Sequence, residues 1–184
     1  MSVEARLARL EAHQKITQLP IRYAIAVDSR DLDAWIALFE PELDMGRHGR
    51  GREVLREYID PQVRQFYRSI HQICGHRVDL GPDEADGPTS ATGSVYCRAE
   101  HEVDDRWVVM AIRYDDEYAR IGDEWFFRRR REHHWYAADL TERPQSVDFD
   151  SWGTSGRRPA LPAHEPSWTR FWGADPQHTA HPVG

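Results

Sequence analysis

The residues that decide the fold form one long run of alternating apolar and polar side chains in the second half of the chain. It consists of ATGSVYCRAEHEV (91–103), RWVVMAIRYDDEYARI (106–121) and EWFFRRRREHHWYAA (124–138). Alternation rich in Val, Tyr, Trp and Phe is typical of strands with one buried face. Asp104-Asp105 and Gly122-Asp123 separate the segments and are candidates for tight hairpins. The pattern therefore predicts three consecutive antiparallel strands.

A fourth strand is predicted just upstream, at Ile73–Leu80, before the turn-rich stretch 81–90. Further towards the N-terminus the apolar period becomes helical, and Pro20 and Pro61 are expected to kink or break the helices. The predicted helical segments are an amphipathic Val3–Leu19, an apolar Ile21–Val27, a short helix capped by Asp31 or Asp33, and Arg52–Ser69. Helices followed by hairpins indicate an α+β fold, with kinked N-terminal helices on one face of a strongly curved, mainly antiparallel sheet.

The 184 residues suffice for one domain with a sizeable core, which we place at residues 1–142. Residues 143–184 hold six of the eleven prolines and no clear period, yet they contain Trp152, Trp168 and Trp172. We expect this C-terminal tail to dock on the domain or on a neighbouring subunit.

Composition narrows the function classes. The formal charge of -7 disfavours a nucleic-acid partner, and no apolar run approaches the roughly 20 residues that span a bilayer. We therefore expect a cytoplasmic protein with no membrane partner. Two cysteines, Cys74 and Cys97, are too few for a disulfide framework or a four-ligand zinc site, and no HExxH or CxxC motif occurs.

Three residues could carry chemistry. Asp28 follows the apolar stretch Ala24–Val27, where a carboxylate needs a partner unless it simply caps the helix. His71 lies where the last helix is predicted to give way to the sheet, and is either a general base or a satisfied core residue. Tyr23 precedes Asp28 by five residues, about 140° around an ideal helix, so spacing alone does not pair them.

The arginine run 128–131 faces the acids Asp115, Asp116 and Glu117 in the predicted sheet. Strand alternation splits the run between two faces, so salt bridges are the simplest interpretation. One or two of these arginines, with His134 or Arg113, could instead enter a cavity and bind an anionic group.

Five segments carry a resemblance to a known family: RYAIAVDSRD (22–31), DAWIALF (33–39), SIH (69–71), ATGSVY (91–96) and GDEW (122–125). Over about residues 3–142 the chain resembles the polyketide-cyclase-like (SnoaL-like) branch of the nuclear transport factor 2-like superfamily. That branch includes scytalone dehydratase, bile acid 7-alpha-dehydratase and lindane dehydrochlorinase. The resemblance implies a cone of helices against a curved sheet.

It also implies an enzyme, a cofactor-free dehydratase, lyase or isomerase, in which Asp28 orients His71 as the base and Tyr23 assists. The expected substrate is a hydrophobic cyclic hydroxy-ketone, steroid-like or polyketide-like. Residues expected to bind it are Trp35, Phe39, Val95, Trp107, Arg130 and His134. No metal or other cofactor is expected.

Two alternatives stay open at this point. The chain could be a noncatalytic small-molecule-binding protein of the same fold, or an accessory (beta) subunit of a ring-hydroxylating oxygenase. Relatives assemble through the open sheet face, so a homo-oligomer is expected, a trimer more than a dimer. Tyr114, Trp135 and Tyr136 are the aromatic residues expected on that face.

Overall fold

The computed structural model describes residues 2–140 and 166–173. Within them the chain forms four helices and six strands. The elements are α1 (Val3–Asp28), α2 (Leu32–Ala37), α3 (Arg52–Val63), β1 (Ser69–Leu80), β2 (Asp83–Glu84), β3 (Gly87–Pro88), β4 (Ser90–Val103), β5 (Arg106–Ile121), β6 (Glu124–Leu140) and α4 (Pro166–Trp172). A short 3-10 turn, Gly46–His48, lies between α2 and α3.

The main sheet has the order β1-β4-β5-β6, and every neighbouring pair is antiparallel. The predicted α+β class and the meander of four long strands are thus confirmed. Register shifts interrupt β1 at Ile73/Gly75 and the β5–β6 pairing at Ala111/Ile112 and Glu117/Tyr118. Such bulges bend strands, and they curve this sheet around the helices.

The predicted boundary between α3 and β1 was wrong. The helix ends at Val63 and the strand begins at Ser69, so His71 is the third residue of β1 rather than a residue of the junction. The backbone explains the difference: the Tyr67 N–H donates to the Glu102 carbonyl, and the Glu102 N–H donates to the Arg68 carbonyl. Pairing with β4 draws these residues out of the helix.

α1 is a single helix that contains Pro20, with its N-terminus capped by the Ser2 side chain. Its inner face, which includes Ile16, Leu19 and Val27, packs into the main core beneath the sheet. The amphipathic pattern predicted for its first turns does not describe burial here, because Val3, Leu7 and Leu10 are exposed. That part of the helix directs its apolar side chains away from the sheet.

α4 packs against the domain. Trp168, Phe171 and Trp172 are buried and belong to the same core cluster as α1 and α3. Trp152 lies outside the described residues. None of the described helices is long and apolar enough to cross a membrane.

Candidate functional site

The candidate site lies where the end of α1 meets the start of β1. α1 supplies Asp28, and β1 supplies Ser69 and His71. The Ser29 N–H bonds back to the Ile25 carbonyl and completes the helix, and Arg30 then adopts a left-handed backbone with φ of 58°. This turn redirects the chain into α2 and leaves Asp28 at the helix end, facing the sheet.

The Asp28 carboxylate accepts three hydrogen bonds. Oδ1 lies 2.8 Å from the Ser69 hydroxyl and 2.7 Å from His71 Nδ1, and Oδ2 accepts the His71 backbone N–H at 2.8 Å. An ionised carboxylate only accepts, so the proton of the histidine bond belongs to Nδ1. Nε2, which has no hydrogen-bond partner among the described residues, then carries the free lone pair.

The electrostatics favour the ionised form of Asp28. Its side chain is 20% exposed and that of His71 is 6% exposed. Burial works to raise the pKa of Asp28, but the hydrogen bonds from His71 and Ser69 outweigh it and hold that pKa below its ordinary value. A carboxylate fixed in this way can orient an imidazole and stabilise its protonated form.

Tyr23 reaches the same place, although helix spacing alone did not pair it with Asp28. Its ring lies edge-on to His71 with the centroids 6.4 Å apart, and the Arg130 guanidinium lies 4.3 Å from its centroid. Burial raises the pKa of the Tyr23 hydroxyl, so the phenol stays protonated at neutral pH. A protonated phenol beside a free imidazole nitrogen can donate a hydrogen bond to an oxygen of a bound molecule.

Arg130 does enter the interior, but its guanidinium forms an ion pair within the protein and is not free to bind a substrate. Its Nε and Nη2 each donate to Asp116 at 2.9 Å, and its guanidinium packs against the rings of Tyr23, Tyr114 and Phe127. Asp116 also accepts the Tyr118 hydroxyl. The Nε and Nη2 atoms of Arg130, which could together bind an anionic group of a substrate, are therefore already occupied by Asp116. Two other arginines of the run also form salt bridges: Arg129 pairs with Glu117, one of the acids predicted to face the run, and Arg128 pairs with Glu40.

The structure brings some of the other predicted binding residues to this site. Trp35 contacts the Tyr23 ring with centroids 5.5 Å apart. Phe39 packs against Phe127 behind it, and Val95 is buried on the sheet wall.

Trp107 lies apart from this group, whereas His134 lies opposite Ile112, on the same face of the sheet as the site. The Trp107 indole donates to Glu100 at 2.8 Å, and Glu100 alternates with Ala99 and His101, so Trp107 lies on the opposite face of the sheet. The prediction that Trp107 lines the cavity was therefore wrong, because the alternation of side chains along the strand places it on the other face. His134 is half-exposed and pairs with Glu132 at 2.7 Å.

Sequence reasoning missed three residues of the site: Ser69, Arg30 and His101. Ser69 precedes His71 by two positions, so strand period alone places both on one face. His101 follows Ala99, the residue opposite His71, by two positions, so strand period places it on the same face as well. Its ring lies edge-on to that of His71, with the ring centroids 5.4 Å apart. Burial, with the neighbouring His71 and Arg30, lowers the pKa of His101 to about 3, so His101 is neutral at pH 7.

No three His, Cys, Asp or Glu side chains in residues 2–140 and 166–173 are arranged to hold a metal ion. Cys97 lies on the sheet wall, and burial raises the pKa of its thiol to about 12. Asp28, His71 and Tyr23 themselves can transfer protons and form hydrogen bonds.

A helical layer against a curved antiparallel sheet is the architecture of the nuclear transport factor 2-like class of α+β cones. The sequence pattern of the SnoaL-like domain matches residues 8–131, more than half of the chain. The chain therefore belongs to the SnoaL-like family. No curated protein matches it in sequence.

Three solved structures are similar in fold. A hexachlorocyclohexane dehydrochlorinase (LinA) type 2 is 18% identical with a TM-score of 0.64, over 85% of this chain and 98% of the other. A scytalone dehydratase-like protein from Novosphingobium aromaticivorans DSM 12444 is 18% identical, TM-score 0.60, over 74% and 92%. An aromatic ring hydroxylase-like protein from Novosphingobium aromaticivorans is 23% identical, TM-score 0.55, over 76% and 96%. At these identities the likeness is one of fold.

Proposed function

We propose that this protein is a cofactor-free dehydratase that removes water from a hydrophobic cyclic hydroxy-ketone. The observation that carries the proposal is the 2.7 Å contact between Asp28 and His71 Nδ1, which leaves Nε2 free to act as a base. Membership of the SnoaL-like family and likeness in fold to a dehydrochlorinase and a scytalone dehydratase-like protein support elimination chemistry.

His71 begins the reaction by taking a proton from the carbon beside the carbonyl. The electrons of that C–H bond form a carbon–carbon double bond, and the hydroxyl on the next carbon leaves as its bond to carbon breaks. The departing hydroxyl takes a proton from Tyr23 or from the His71 imidazolium and leaves as water. Asp28 stays ionised and stabilises the imidazolium between the two proton transfers.

The side chains around His71 favour an apolar substrate. Ala99 lies directly opposite His71 in the sheet and belongs to a fully buried cluster. Its members are Val95, Cys97, Ala99, Ile112 and Tyr114. A substrate that reaches this wall meets apolar side chains and few polar groups. A ring system with one carbonyl and one hydroxyl suits it.

The test is turnover of a panel of cyclic β-hydroxy-ketones, followed by the ultraviolet absorbance of the conjugated enone product. Wild type is compared with His71→Ala, Asp28→Asn and, as a matched control, His133→Ala. His133 is a half-exposed histidine whose ring faces Asp115 rather than Asp28. We expect His71→Ala and Asp28→Asn to lose at least about 100-fold in turnover, the usual contribution of a positioned base, and His133→Ala to retain it.

Retention of most of the turnover by either dyad variant would overturn the proposal. Tight binding of the panel without turnover, unchanged in Asp28→Asn, would instead identify a binding protein. Activity that requires a larger oxygenase chain would identify an accessory subunit, a role compatible with the ring hydroxylase-like neighbour.

We also propose that the protein assembles as a homotrimer through its open sheet face. Trp135 is 68% exposed and Tyr136 is 53% exposed in the single chain, more than large aromatic side chains normally are. Tyr114, expected on this face, is instead buried at 2% exposure against Arg130. Light scattering of the purified protein should give three times the mass of one chain, 21.5 kDa.

A further inference from the structure

We infer that Arg30 and the C-terminal helix α4 form a positioning device for the Asp28–His71 pair, acting through the Ser69 hydroxyl. The inference extends the proposed function, because it assigns residues that hold the pair in its working geometry. It concerns side chains that do not themselves contact His71.

The surroundings of Arg30 are unusual for a cation. The side chain is fully buried, with the residue only 2% exposed, and no carboxylate in the described part of the chain lies within ion-pair distance of it. Its guanidinium donates to the carbonyls of Val27, Phe66 and Tyr67 and to the Ser69 hydroxyl. A buried charge with only neutral partners is costly, so its position calls for an explanation.

The Ser69 hydroxyl links this charge to Asp28. Ser69 Oγ accepts from Arg30 Nη1 at 2.9 Å and lies 2.8 Å from Asp28 Oδ1. A guanidinium only donates, so the single hydroxyl proton of Ser69 must point to the carboxylate. Arg30 thereby fixes the direction of that proton, and the proton fixes Asp28 Oδ1 where it also meets His71 Nδ1.

The charges agree with this chain of contacts. Burial lowers the pKa of Arg30 to about 9, and the negative charge of Asp28 acts in the opposite direction. Arg30 therefore stays protonated at neutral pH. The two opposite charges stabilise each other across one hydroxyl group. Among the described residues, His71 is the only ionisable side chain within ion-pair distance of Asp28, and no carboxylate lies within that distance of Arg30.

α4 covers the arginine. The Trp168 ring centroid lies 4.9 Å from the guanidinium carbon, and the Phe66 centroid lies 4.8 Å from it. The Ser167 hydroxyl donates to the Ser29 carbonyl at 2.8 Å, beside the end of α1. Aromatic faces stabilise a desolvated cation, so α4 completes the site of Arg30 as well as burying apolar surface.

The test measures how fast the His71 Nδ1 proton exchanges with water, by NMR of histidine-labelled full-length protein. His71→Gln identifies the signal by its disappearance. Trp168→Leu keeps an apolar side chain but removes the aromatic face, Trp168→Tyr keeps such a face, and Ser69→Ala removes the link. Phe171→Leu is the matched control, since Phe171 lies on the same helix but packs against Arg64.

We expect at least tenfold faster exchange of this proton in Trp168→Leu and Ser69→Ala, and less than twofold change in Trp168→Tyr and Phe171→Leu. Backbone amide exchange in β4 and β5 is recorded alongside, and it should remain unchanged if the effect is local. Unchanged exchange in Trp168→Leu and Ser69→Ala, or equal acceleration in Phe171→Leu, would overturn the inference. Because the readout needs no substrate, it is independent of whether the protein is a dehydratase.

Discussion

Replacing His101 by phenylalanine should make the protein less sensitive to acid. His101 is 5% exposed, and its ring packs edge-on against Phe66 with the centroids 4.5 Å apart. Burial first, and then the neighbouring His71 and Arg30, lower the pKa of His101 to about 3. Phenylalanine has a similar shape and fits the apolar contacts, but it cannot take up a proton.

The size of the effect follows from linkage. In the unfolded chain a histidine has a pKa of about 6.5, whereas in the folded protein that of His101 is about 3. Between these values the unfolded state binds a proton that the folded state does not, so stability falls as pH falls from about 6.5 to about 3. From pH 7 to pH 5 this residue alone should cost the wild type about 2 kcal/mol.

Urea unfolding at pH 7 and pH 5 measures this difference. His101→Phe should lose about 2 kcal/mol less than wild type between the two pH values, while the carboxylates and His76 contribute equally to both proteins. The pKa of His76 is also lowered by burial, to about 4, so the variant keeps part of its acid sensitivity. Equal losses in wild type and variant would show that protonation of His101 does not contribute to the acid sensitivity.

Three further outcomes are expected. Asp116→Asn leaves the buried Arg130 guanidinium without its counter-charge and should lower the free energy of unfolding by about 3–5 kcal/mol, measured by urea unfolding; a loss below about 1 kcal/mol would contradict the role of that pair. Gly93→Ala should be destabilising in thermal unfolding, because a Cβ there would lie 2.6 Å from the Arg77 carbonyl oxygen, and an unchanged midpoint would count against this packing. Trp135→Glu should convert the proposed trimer to a monomer in light scattering, and an unaltered mass would place the interface elsewhere.

Local patterns were enough to predict the long strands. Alternation set the strands after Ser90, and the Gly122-Asp123 and Asp104-Asp105 pairs set their turns, because these features act over a few residues. The start of β1 was predicted four residues too late. It is fixed by a tertiary contact, the backbone pairing of Tyr67 with Glu102 in β4, and local propensity does not reveal such a contact.

The candidate site divides in the same way. Asp28, His71 and Tyr23 were candidates from their positions in the sequence, the family resemblance joined them into one site, and the structure brings them together. Arg130 was expected to meet a substrate, yet its ion pair with Asp116 depends on cross-strand register, which the two stretches do not reveal separately. Arg30 was missed because a surface-type residue after a helix gives no sign that a distant segment, α4, buries it.

In the proposed reaction His71, held by Asp28, removes a proton from carbon. Deuterium uptake from D₂O into a cyclic ketone that lacks a leaving group measures this step alone, without elimination. We expect wild type to catalyse uptake beside the carbonyl, His71→Ala and Asp28→Asn to lose it, and His133→Ala to keep it. Uptake at the wild-type rate in either dyad variant would contradict the proposed reaction, because the base would then lie elsewhere.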